Sequence, residues 1–177
     1  MKAMESSQNF PLVGQVEVDE SYVGDQDDKA LGRNDWKKKI MVVGTEKLEK
    51  GVSRWYGRVV ETASKGNLGA FMLDHVDKDA KVKTDFWSGY KGMESHFPNL
   101  VRKKSGKKGE NFKQMHWVIM MFKSWVRGTH HSVMYLQPYI NEYTYRFNRH
   151  KMKEGIFENL MRRMVDKPPY PYKEFML

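Results

Sequence analysis

Gly14-Gln15-Val16-Glu17-Val18-Asp19-Glu20-Ser21-Tyr22-Val23-Gly24 is a run of β-branched and aromatic residues closed at both ends by glycine. It predicts a strand from Gly14 to Gly24, with Asp19 standing where the Val16, Val18 pattern breaks. Asp25 to Asp35, rich in Asp, Gly and Asn, reads as a loop. Lys39 to Thr45, carrying Ile40-Met41-Val42-Val43, is a second strand. Gly51 turns the chain into a third, Ser53 to Thr62, so the opening reads as an antiparallel meander. Leu68, Phe71, Met72 and His75 fit one face of a short helix behind the capping segment Ser64-Lys65-Gly66-Asn67. Ala80 to Thr84 is a fourth strand that closes on Asp85. Gly89 to Phe97 reads as a short helix stopped by Pro98, and Leu100 to Lys103 as a fifth strand.

From Phe112 the period turns helical. Gln114 to Arg127 is one helix, with Gly128 where a C-cap belongs. Val133 to Asn148 is a second, in which Pro138 implies a late start or a kink. Ile156 to Val165 is a third, halted by Pro168-Pro169. Three antiparallel strands, a helix, two more strands and terminal helices is the order of a ribonuclease H-like α/β fold. The expectation is a mixed five-stranded sheet flanked by helices, with further helices at the C-terminus. Residues 1–13 read as a polar lead-in and residues 14–177 as one domain, a size that supports a single core.

The chain has no cysteine, which excludes disulfide scaffolds and cysteine-built zinc ribbons and fits a reducing, cytoplasmic setting. Its longest apolar run, Trp117 to Phe122, is far short of the roughly 20 residues of a membrane span. The formal charge of +9 is unevenly placed. Residues 1–100 hold 15 Lys and Arg against 16 Asp and Glu, whereas residues 101–177 hold 16 against 6. A polyanionic partner, most simply DNA or RNA, suits that asymmetry.

Asp19 and Asp85 each end a strand, and neighbouring strands would bring them together as hard oxygen ligands for Mg²⁺ or Mn²⁺. Two ions about 4 Å apart at such a site serve phosphoryl transfer, one at the attacking and one at the leaving oxygen. His116 and Lys123, seven residues apart, project from one helix face. The metal ligands expected are therefore Asp19, Asp85 and His116, with Lys123 a cation for phosphate. Adjacent strand residues face opposite ways, which makes Glu20 a supporting residue rather than a ligand. Arg102, Lys103, Lys104, Lys107, Lys108 and Lys113 form a basic segment suited to phosphate contacts. Arg127 lies further along the helix of His116 and Lys123. Arg146 and Arg149, interleaved with Tyr143, Tyr145 and Phe147, suit a nucleic-acid strand as well. Trp117, Met120, Met121 and Trp125 read as packing, and His130-His131 as DNA-contacting or structural. Asp25-Gln26-Asp27-Asp28 lacks the glycine of a calcium loop.

Val16-Glu17-Val18-Asp19-Glu20-Ser21-Tyr22-Val23-Gly24, Thr84-Asp85-Phe86-Trp87-Ser88-Gly89-Tyr90, Phe122-Lys123-Ser124-Trp125-Val126-Arg127-Gly128-Thr129-His130-His131 and Tyr145-Arg146-Phe147-Asn148-Arg149 together resemble the ISXO-like transposase domain of bacterial insertion sequences. The resemblance implies a DDE-superfamily core that cuts and joins DNA at transposon ends using two divalent ions, working as a homo-oligomer when two ends are synapsed. It implies Asp19 and Asp85 as the first two ligands, His116 as the third, and Lys123 seven residues on. A neutral imidazole ligand should also make Mn²⁺ acceptable. Family members usually carry an N-terminal zinc ribbon and helix-turn-helix for end recognition, so residues 1–13 are expected to be what remains of a linker to such a region. The competing expectation is an inactive DNA-binding remnant or inhibitor.

Overall fold

The computed structural model describes residues 2–24, 38–130, 134–169 and 171. The expected loop at 25–35, together with His131 and Val133, lies outside the described residues.

Three long strands come first: β1 (Gln15–Val23), β2 (Lys39–Lys47) and β3 (Val52–Val60). They form the antiparallel meander, followed by α1 (Lys65–His75), β4 (Lys81–Thr84) and β5 (Val101–Arg102). The strands make one mixed five-stranded sheet in the order β3-β2-β1-β4-β5. β4 joins β1 in parallel, with Glu17 opposite Lys83 and Val18 opposite Thr84, and pairing stops there. Then come α2 (Lys113–Thr129), α3 (Leu136–Asn148) and α4 (Gly155–Val165). This is the ribonuclease H-like arrangement.

Strand alternation sorts the core onto two sheet faces. Val16, Val18 and Val42 face α1, where they meet Leu68, Phe71, Met72 and Tyr90. Met41, Val43 and Trp55 face α2 and α3, meeting Phe112, Met115, Val118, Phe122 and Ile140. Ser64 caps α1, its hydroxyl accepting from the Asn67 amide. Residues 10–12 of the lead-in pack onto the sheet: Leu12 is fully buried, and Arg54 donates to the carbonyls of Phe10 and Pro11.

Three sequence expectations are refined. Gly89 to Phe97 is two short 3-10 turns rather than one helix, because Gly92 takes a left-handed φ of 85° between them. α2 runs one residue past Gly128, so that glycine does not cap it. Pro138 is the third residue of α3, where no intrahelical N–H bond is required, so the helix starts late and has no need to kink.

α3 also closes the outer edge of the sheet. Asn148 accepts from the Trp55 amide and donates to the Trp55 carbonyl, both at 2.9 Å. Eleven residues earlier, Gln137 accepts from the Val59 amide at 2.8 Å. These amides stand where a sixth strand would otherwise pair. Replacing Asn148 with Ala strands both Trp55 groups, so Asn148→Ala is expected to lower stability by about 1–3 kcal/mol. The thermal midpoint should then fall by roughly 2–4 °C per kcal/mol in a scanning melt.

Candidate active site

Where β4 leaves β1, a gap opens beside Asp19. Asp85, the first residue past β4, turns back on itself, its Oδ1 accepting from the Trp87 amide at 2.8 Å. Arg102 of β5 fixes that loop by donating to the carbonyls of Phe86 and Trp87. One carboxylate oxygen from each of Asp19, Glu20 and Asp85 lies within 4.8 Å of the other two. Glu20 leaves the opposite face of β1, but the edge beside it is open once pairing with β4 ends, and a glutamate chain is long enough to reach it. The Tyr90 hydroxyl, in a fully buried ring, donates to Glu20 Oε2 at 3.2 Å.

α2 supplies the remaining groups. His116 Nε2 lies 3.6 Å from Asp19 Oδ2, too far for a hydrogen bond yet a normal spacing for two ligand atoms on one ion. Gly109, at φ 70°, lets the ring sit there, since a Cβ at that position would come within 2.2 Å of the imidazole. Lys123 is half-buried two turns along, and burial lowers its pKa. Burial likewise lowers the pKa of His116, against the pull of Glu17, which favours the neutral, ligating imidazole.

Below the site lies an ion pair. Glu17 is 1% exposed, and its Oε1 accepts from Lys83 Nζ at 2.8 Å and from Lys47 Nζ at 2.9 Å. Lys83 also donates to the Asn111 carbonyl and lies 4.6 Å from the centre of the Phe112 ring, which ties β4 to the approach of α2.

Burial first, and then repulsion from Asp85, raise the Asp19 carboxyl from 3.8 to about 7. Crowded acids with a depressed imidazole beside them form an oxygen-rich donor set that lacks only positive charge, and a hard divalent cation fits it.

The model of the ISXO2-like transposase domain matches residues 11–148, most of the chain. The protein belongs to this family. No curated protein matches it. Among solved structures, the ISXO2-like domain is similar to a chain in the crystal structure of a pre-cleavage Mos1 transpososome. Identity there is 12% and the TM-score 0.42, with 88% of this chain and 56% of that one covered, so the domain spans little more than half that chain's length.

In the ISXO2-like domain, then, Asp19 and Asp85 converge as expected, and His116 stands against Asp19. Glu20 joins them, although strand alternation had set it aside. Lys103, Lys104, Lys113 and Arg127 are exposed, while the side chains of Lys107 and Lys108 lie outside the described residues. Arg102 is engaged with the Asp85 loop. Arg146, in α3, pairs with Glu142, and Arg149, just past the end of that helix, lies 4.4 Å over the ring of Tyr145; both are on the β3 edge. The aromatics of that motif are structural: Tyr145 is buried, its hydroxyl donating to Asn159 and to the Ile156 carbonyl. His130 stacks on Tyr139 with ring centroids 3.9 Å apart. Glu17, Lys83, Tyr90 and Gly109 went unnoticed. The matched spacings Glu17-x-Asp19 and Lys83-x-Asp85 were the signal for the first two.

Two tests follow from this geometry. With its folded pKa above the unfolded one, Asp19 favours folding fully below pH 3.8 and loses that contribution as pH rises through about 7. Asp19→Asn should therefore be more stable than the parent at pH 8, by roughly 1–4 kcal/mol in denaturant unfolding, with the gap closing towards pH 4. Added Mg²⁺ or Mn²⁺ should raise the parent's melting temperature at pH 8 and leave the variant unmoved. Gly109→Ala should displace His116 and weaken divalent-ion binding about 10–100-fold by titration calorimetry, the scale expected when a ligand's support is lost.

Proposed function

We propose that this ISXO2-like domain cuts DNA at the ends of an insertion sequence and joins the freed 3′ hydroxyl to target DNA. The observation that carries this reading is the convergence of the Asp19, Glu20 and Asp85 carboxylates within 4.8 Å, with His116 facing Asp19. Asp19, Asp85 and His116 would hold divalent ions, with Glu20 a further oxygen donor, and such ions supply charge stabilisation at the attacking and leaving oxygens.

The chain's own residues orient the reaction. Glu17 and Lys83 hold the two acid-bearing strands in register, Tyr90 steers Glu20, and Arg102 keeps Asp85 turned inward. Lys123, on the His116 row of α2, contacts a phosphate near the cut. Lys103, Lys104, Lys113 and Arg127 hold the backbone on either side, with Lys107 and Lys108 in the same basic segment, and give salt-sensitive binding without reading sequence. Arg146 and Arg149, away on the β3 edge, are left for a more distant stretch of the duplex. Hydrolysis breaks the bond between phosphorus and the leaving 3′ oxygen, water supplying the oxygen that stays on phosphorus. In strand transfer the freed 3′ hydroxyl replaces water and a target phosphodiester replaces the first. Two ends joined in one event require at least two copies of the domain, working on bacterial DNA at the nucleoid.

Conversion of a supercoiled plasmid bearing the element's own flanking repeats to nicked product, in Mg²⁺ or Mn²⁺, tests this. Asp85→Ala is expected to reduce nicking by more than the ~10–100-fold that loss of an outer-shell partner costs. Equal cutting by parent and variant would remove the site from the reaction.

A further inference from the structure

Trp117, Met120 and Met121 were expected in the core, but the structure turns them outward: they are 50%, 58% and 38% exposed. The packing of α2 is carried instead by Met115, Val118, Ile119, Phe122 and Val126. At 3.6 residues per turn, His116, Met120, Lys123 and Arg127 form one row, and Trp117 stands beside its first member. A second large aromatic, Phe86, is 57% exposed directly after Asp85, with the Arg102 guanidinium 5.3 Å from its ring centre. Each exposed ring thus follows a residue of the acidic and imidazole site by one position.

The charge around them selects the partner. α2 contains no acidic residue from Lys113 to Thr129, and its outward side carries Lys113, Lys123 and Arg127. Flat apolar rings set among cations match an anionic chain that offers planar faces. Paired bases keep those faces inside the helical stack; unpaired bases present them.

We propose that Trp117 and Phe86 are stacking platforms for unpaired nucleobases of the DNA beside the cut. The proposal rests on the DNA-cutting reading above and adds to it a role in holding melted or single-stranded nucleotides. Trp117 is the main platform, because it adjoins His116 on a continuous helix, and Phe86 meets the neighbouring base.

Anisotropy of labelled oligothymidine, and of a blunt duplex of the same length, without divalent ion, tests it. Trp117→Ala should weaken oligothymidine binding by about 5–100-fold, as loss of one stacked base does, and duplex binding by less than about twofold. Trp117→Phe should keep most of the affinity, and Phe86→Ala should show the same preference between probes. In the parent, oligothymidine should shield tryptophan fluorescence from acrylamide, and Trp117→Ala should lose that shielding. Equal weakening on both probes, or none, overturns the proposal, as does unchanged oligothymidine binding with lost self-association in sedimentation. If Asp85-dependent nicking persists in any of these cases, this proposal alone falls. If nicking does not depend on Asp85, the function above falls with it.

Discussion

One ammonium group ties together the strands and the helix that build the candidate site. Lys83 lies opposite Glu17 in the parallel pairing of β4 with β1, and two residues on, along the same face, Asp85 comes beside Asp19. The upper pair repels and the lower pair attracts. Because Glu17 is almost wholly shielded from water, loss of its cationic partners would leave an uncompensated buried charge, which typically costs about 3–5 kcal/mol. The same Lys83 reaches the Asn111 carbonyl and the face of Phe112. The helix that delivers His116 is thereby referenced to the strand that delivers Asp85. Side chains of the candidate site that come from widely separated parts of the sequence thus share one anchor.

Much of this was visible in the residues alone. Period-two runs bounded by glycine marked the three long strands, and Ser64 marked the start of α1, because those features act over a few residues. Asp19 and Asp85 stood out as acids at strand ends, and His116 for the helix face it shares with Lys123. What escaped was set by neighbours distant in the chain. Glu20 does leave the face that alternation assigns it, but β4 ends at Thr84, and the open edge lets its long side chain reach round to Asp19 and Asp85. Gly109 sits among lysines seven residues before His116, and nothing in the local sequence ties it to that ring. The outward turn of Trp117 was hidden for a different reason: α2 is apolar around most of its circumference, so period alone could not say which stripe met the sheet.

The aromatic and basic motif near the end of α3 carries a similar lesson. Arg146 and Arg149 with Tyr143, Tyr145 and Phe147 suit nucleic acid by pattern, yet Tyr145 is buried beneath Arg149 and Arg163, and the neighbouring Asn148 is spent on the backbone of β3. Alternating cations and rings fit a stacked strand and a stacked core equally well. Only the fold decides between them.

The clasp of Asn148 on Trp55 spans 93 residues of chain. During synthesis at about 5–20 residues per second, β3 therefore leaves the ribosome roughly 5–20 s before its cover does. Through that interval its outer backbone groups are open to any other extended segment, including β3 of a second nascent chain. A chain that ended before Leu136 would lack α3 altogether and would leave that margin of the sheet bare.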